Sequence, residues 1–137
     1  MLDPGLVPDS AETSRRLASQ AIVAELYSRI DAGDIAAVLE LYASDATFLD
    51  AHGKAAIRAA MERGISTRRS RHLITNLRAQ SAGPDTMTVE YTAAAFTLEG
   101  VAPYGARSVY DQRQLHRRDP DGVVRIVEHQ IIDYPNS

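Results

Sequence analysis

Apolar residues recur at helical spacing along the first part of the chain, and the pattern changes character after about Thr67. Leu17, Ile22, Val23, Leu26 and Ile30 form one helical stripe that runs up to Gly33. Ser10 or Thr13 is placed to cap that helix, with Glu12 early, where the helix dipole favours negative charge. Gly33-Asp34 reads as a break and a new cap, and a second helix then carries Ile35, Val38, Leu39 and Tyr42. The segment Asp45 to Asp50 is short and holds β-branched and aromatic residues, which predicts a strand. Gly53 opens a third helix through Ala55, Ile57, Ala60 and Met61 to about Thr67. Four longer strands follow, over 72–79, 86–98, 106–117 and 123–133. Turn signals separate them at Gly83-Pro84-Asp85, Gly100 to Gly105 and Asp119-Pro120-Asp121-Gly122.

The predicted order is helix, helix, strand, helix, then four strands. Helices segregated from a largely antiparallel sheet make an α+β fold, not an alternating parallel one. One domain over 11–137 is expected, after a flexible leader at 1–10 with its prolines, glycine and aspartates. A sheet this long in so short a chain must bend. Helices packed in its concavity leave a cone, and the open end of a cone is a natural ligand site.

Composition narrows the function classes. A chain of 137 residues with 45% hydrophobic content fits a single domain with a proper core. A net charge of −3 argues against nucleic-acid binding, and the basic run Arg68-Arg69-Ser70-Arg71 reads as a solvated helix end. With no cysteine, disulfides, thiolate nucleophiles and Cys-based zinc sites drop out. His52, His72, His116 and His129 are too scattered for a metal site, and no Gly-rich phosphate loop or Gly-x-Ser-x-Gly occurs. No apolar run approaches the roughly 20 residues that span a bilayer, and the start of the chain lacks a signal-peptide pattern. The expectation is a soluble cytoplasmic protein without cofactor or metal, binding neither nucleic acid nor membrane.

Two stretches carry a family resemblance. Asp31-Ala32-Gly33-Asp34, followed by Leu41-Tyr42-Ala43-Ser44-Asp45-Ala46-Thr47, resembles the opening of SnoaL-like proteins. There a helix ending in Gly-Asp precedes a short helix and an L-Y-A-x-D-A lead into the first strand. Arg118-Asp119-Pro120-Asp121-Gly122-Val123-Val124-Arg125-Ile126 resembles that family's closing hairpin, although Val124 stands where many relatives carry tryptophan. The match covers roughly residues 15–133 of this SnoaL-like, nuclear transport factor 2-like superfamily. It implies a cone-shaped α+β barrel with three N-terminal helices packed on a strongly curved, mainly antiparallel sheet. It does not imply one activity. Ketosteroid isomerases, scytalone dehydratase, epoxide hydrolases, polyketide cyclases and non-catalytic binding domains share the superfamily.

Candidate chemistry falls on a few polar residues. Alternation from Ala46 and Phe48 puts Asp50 on their face, and a carboxylate in an apolar wall suits a general base. The alternative is a cap on the turn before Gly53. The resemblance to ketosteroid isomerases gives Asp50 the position of the proton-shuttling aspartate. It gives Asp111 that of an aspartate donating to a developing oxyanion. Arg113 and Leu115 share the face of Asp111, and an acid–Arg–acid set would be similar to limonene epoxide hydrolases. An exposed Asp111–Arg113 pair is the alternative. His72 lies in Arg71-His72-Leu73-Ile74-Thr75-Asn76, which resembles the scytalone dehydratase strand that presents an active-site histidine. Asn76 would share its face; a hydrogen-bonded rim histidine is the alternative. His129 shares a face with Val127 and Ile131. Tyr27 is one residue from Leu26, the position where ketosteroid isomerases carry an oxyanion-donating tyrosine, and one residue is about 100° on a helix. Phe48 and Phe96, with Tyr42 and Tyr91, read as wall or core.

Two readings follow. One is a lyase, isomerase or cyclase acting on a small hydrophobic oxygenated molecule, polyketide-like or terpenoid, with Asp50, His72 and Asp111 catalytic. In that reading Tyr27, Asn76, Arg113, His129, Phe48 and Phe96 contact the substrate. The other is a non-catalytic binding or dimerisation domain whose inner polar groups pair with one another. A homodimer is expected in either case, because the outer face of the sheet is apolar enough to want covering.

Overall fold

The computed structural model describes residues 10–64, 69–100 and 102–133. Helix α1 (Ser10–Asp31) buries Ser19, Val23, Leu26 and Tyr27 and leaves Leu17 at 59% exposure, so the apolar stripe starts one turn later than predicted. Thr13 lies inside the helix rather than at its cap, and most of the predicted leader, residues 1–9, lies outside the described residues. Arg15 ties this helix to the sheet. Its Nη2 donates to the carbonyls of Gly83 at 2.6 Å and Thr86 at 2.9 Å.

Gly33, at φ +73°, takes the left-handed conformation that a helix end needs and that glycine adopts without penalty. Asp34 then caps α2 (Ile35–Leu39), its carboxylate accepting from the Ala37 N–H at 3.1 Å. Asp34→Ala removes that acceptor and should lower stability by about 1 kcal/mol, read as a shift in the denaturant midpoint with an unchanged slope. Tyr42 does not belong to this helix, contrary to its spacing. It opens β1 (Tyr42–Phe48) and pairs in parallel with Ile126, because Leu41 and Ile126 already join through their backbones.

A two-residue strand β2 (Ala51–His52), too short to leave a periodic signal, folds back on β1. Helix α3 (Lys54–Gly64) follows, burying Ile57 and Met61; its predicted extension to Thr67 lies outside the described residues. The long strands are β3 (Ser70–Gly83), β4 (Thr86–Thr97), β5 (Ala106–Arg118) and β6 (Val124–Asp133). They stand where the turn residues put them, with β3 longer at both ends. Ser70 and Arg71, which the basic run assigns to a helix end, are strand residues.

The sheet runs β2-β1-β6-β5-β4-β3, antiparallel except for β1 beside β6. It does not close, and the helices cover one face, so the α+β architecture is as expected. Leu26, Val38, Ile57, Val89 and Ile126 meet there, with no accessible surface left on Leu26, Ile57 or Ile126. No helix among the described residues is long and apolar enough to cross a membrane.

Candidate functional site

The starts of β3 and β5 meet the ends of β1, β4 and β6 around a cavity of about 580 Å³, with the last turns of α3 on its other side. Tyr27, Phe48, Asp50, His72, Phe96 and His129 all line it. Six of the residues singled out by sequence therefore converge on one site, within the range typical of small-molecule pockets.

His72 is held from behind by Asp31, the last residue of α1. Its Nδ1–H donates to Asp31 Oδ1 at 2.6 Å, and its backbone N–H donates to Oδ2 at 3.0 Å. Ser70 Oγ donates to the same Oδ1 at 2.9 Å. Three donors on one carboxylate fix its plane and thus the imidazole. The Tyr27 ring lies 5.0 Å from the His72 ring, tilted by 42°, and closes the other side. The side chains of His72 and Asp31 are 17% and 13% exposed. Nδ1 is occupied, and Nε2 has no partner among the described residues. An imidazole so oriented can accept a proton at Nε2 while the carboxylate offsets the charge it gains.

Beneath the cavity runs a buried polar network. Tyr27 and Tyr91 hydroxyls are 2.6 Å apart, and both reach Gln112 Oε1, at 2.9 and 3.1 Å. His129 Nε2 donates to the same oxygen at 2.6 Å, so its Nδ1 accepts from the Tyr42 hydroxyl at 2.7 Å. On the other side Gln114 Nε2 donates to Tyr91 at 2.7 Å, and its Oε1 accepts from His116 Nε2, also at 2.7 Å. His116 Nδ1 in turn accepts from Ser19 Oγ at 3.0 Å. Burial disfavours charge throughout. Desolvation holds His116 down to about 4, and desolvation together with the field of His116 holds His129 down to about 3. It also pushes the Tyr27, Tyr42 and Tyr91 hydroxyls up. His129 is thus a neutral structural donor at the cavity floor, unsuited to take a proton near neutral pH.

Three expectations about orientation are overturned. Leu49 adopts φ +54°, which breaks the alternation after Phe48 and leaves Asp50 exposed in the turn, at the cavity rim instead of within an apolar wall. Asp111 and Arg113 face the opposite side of the sheet. Asp111 accepts from Thr92 Oγ1 at 2.6 Å, and Arg113 pairs with Glu90 at 3.2 Å, so no acid–Arg–acid set forms in the cavity. The inward residues of β5 are Gln112, Gln114 and His116. Asn76 sits in a bulge at φ +55° and is exposed; it shares with Asp111 a separate groove of about 490 Å³.

Sequence reasoning does not find Asp31, Gln112, Gln114 or His116 as functional groups. In the sequence Asp31 stands out only as part of the Gly-Asp motif. Its partnership with His72 spans 41 positions and exists only once α1 lies across the start of β3. Among the described residues no group of three or more metal-ligating side chains occurs.

No curated protein matches the sequence at a significant level. Solved structures of the same fold are numerous. Aln2 from a Streptomyces species superposes with a TM-score of 0.81 at 17% identity, covering 95% of each chain. Rv3472 from Mycobacterium tuberculosis, of unknown function, gives 0.80 at 20% identity over 93% of this chain and 76% of that one. An NTF2-like protein with a cystatin-like fold from Novosphingobium aromaticivorans gives 0.71 at 23% identity, over 93% and 92%. At these identities the likeness is one of fold. The family model for the SnoaL-like domain matches residues 23–129, which take in α1 from its buried half, the Asp31–His72 pair and most of the buried network as far as His129. By that match, and by the open α+β cone built on it, the chain belongs to the SnoaL-like family.

Proposed function

We propose that this protein is an acid–base enzyme needing no cofactor, a lyase, isomerase or cyclase acting on a small hydrophobic oxygenated molecule in the cavity. The observation that carries the reading is the His72–Asp31 pair, 2.6 Å apart on the wall of a roughly 580 Å³ cavity with Nε2 unoccupied. His72 Nε2 takes a proton from a carbon beside a carbonyl group, and Asp31 offsets the resulting imidazolium charge. The electron pair moves onto the carbonyl oxygen as the C–H bond breaks. Gln112 lines the cavity, and its amide nitrogen, without a partner among the described residues, is the donor for that oxygen. Return of the proton to another carbon gives isomerisation; transfer to a departing hydroxyl gives dehydration. Asp50, placed first for this role by sequence, becomes a polar group at the rim.

The test is deuterium incorporation, followed by NMR, into a panel of enolisable aromatic ketones in heavy water. The natural protein should promote exchange in at least one of them, and His72→Gln should not. Exchange that persists in the variant removes His72 from the chemistry. A second reading, a non-catalytic binding domain, draws on the mutual pairing of Tyr27, Tyr91, Gln112 and His129. Tight ligand binding with no exchange across the panel favours it.

A further inference from the structure

Most arginines of the described chain are engaged. Arg15 holds two carbonyls, Arg29 meets Glu25 and Glu40, and Arg58 meets Glu62. Arg117 and Arg125 interlock with Asp45, Asp119 and Asp121. Arg63, in the last turn of α3, and Arg107, near the start of β5, differ. Both line the cavity, and neither guanidinium group has a hydrogen bond or ion pair among the described residues. Asp50 is the one carboxylate among the described residues of the lining, against these two exposed arginines. Phe48, Met61, Phe96 and Ile131 supply the apolar part of the cavity walls.

A site whose lining combines apolar side chains with two unengaged guanidinium groups complements an amphipathic anion. Guanidinium presents its donors in a fork that a carboxylate matches with two parallel hydrogen bonds. A partly enclosed mouth screens such a pair less than open water does. We infer that the cavity takes an organic carboxylate, its hydrophobic body inside and its carboxylate held at the mouth by Arg63 and Arg107. This rests on the reading of the cavity as a ligand site and names the chemical class it accepts. Anchoring one end of the ligand at the mouth lays its body along the wall that carries His72.

The experiment compares 2-naphthoate with its uncharged isostere 2-naphthamide by calorimetry on the full chain. The carboxylate should bind about tenfold more tightly. Arg63→Gln and Arg107→Gln should each weaken 2-naphthoate roughly three- to tenfold and leave 2-naphthamide unchanged. Arg118→Gln, an exposed arginine that does not line the cavity, should change neither. Raising the salt should weaken the carboxylate alone. Equal binding of the two probes, an unchanged 2-naphthoate affinity in both cavity variants, or no 2-naphthoate binding at millimolar concentration overturns the inference. Arginine-dependent binding without ketone exchange would leave the carboxylate site standing and sink the acid–base reading. Exchange with no preference for carboxylate would do the reverse.

Discussion

Lowering the pH from 7.5 to 5 is expected to cost this protein about 4 kcal/mol of folding stability, through His116 and His129. Each is buried as the neutral ring, and each accepts and donates in the network in a way a second ring proton would break. Their folded values lie near 4 and 3, whereas an unfolded histidine titrates near 6.5. Between those limits the unfolded chain binds protons that the folded chain refuses. Stability from this source is therefore fully present above about pH 6.5 and lost as the pH falls toward 4 and 3. At pH 5 each ring contributes about 2 kcal/mol of that loss, against a total stability that for most domains is roughly 5–15 kcal/mol. Chemical denaturation at a series of pH values measures it. His129→Gln, which keeps a donor and an acceptor, should flatten the slope by about half. A stability that stays level from pH 7.5 to 5 would show that the two rings are not held neutral by burial.

Asp31→Asn is expected to lower turnover by roughly 10²–10⁴ with the fold retained. The reason lies in hydrogen positions. One oxygen of Asp31 accepts from the His72 backbone N–H, which has no other way to turn, so the amide oxygen of asparagine must take that place. The amide nitrogen then faces His72 Nδ1 and Ser70 Oγ, where two donors stood before. Ser70 can rotate its proton away. The imidazole can respond only by moving its own proton to Nε2, the nitrogen proposed above as the base. Nitrogen-15 chemical shifts of the His72 ring report that switch directly, and a merely structural role for Asp31 would not move them. A variant with near-normal turnover, or with Nδ1 still protonated, would remove the positioning role.

How much is legible in the sequence follows from where the information sits. The four long strands are placed by their turns, since Gly83-Pro84-Asp85 and Asp119-Pro120-Asp121-Gly122 leave the chain few local options. The phase of β5 is not legible. Its inner residues, Gln112, Gln114 and His116, are more polar than Val109 and Leu115 on its outer face, so polarity points away from the core. Only the partners supplied by α1, β4 and β6 make that inner face acceptable. Leu49 and Asn76 carry left-handed backbone without being glycine, and each shifts the alternation from which Asp50 and Asn76 take their predicted direction. His72, His129 and Phe48, whose inward direction does not cross such a point, line the cavity. Asp31 needs the packed helix to be seen at all.

The buried network has a direction. From Ser19 through His116 and Gln114 to Tyr91, every proton points the same way, and from Tyr42 through His129 the protons point toward the same end. Both arms finish on Gln112 Oε1. Such a chain is a poor conduit for protons, because conduction would require each of them to reverse. It behaves instead as a frozen dipole, with successive bonds polarising one another. Electron density is drawn from the Gln112 carboxamide toward its oxygen, which leaves the amide N–H groups more positive than an ordinary glutamine would offer. The long run of hydrogen bonds through the interior thus serves as an electrostatic lens. Its focus is a single neutral side chain on the cavity wall.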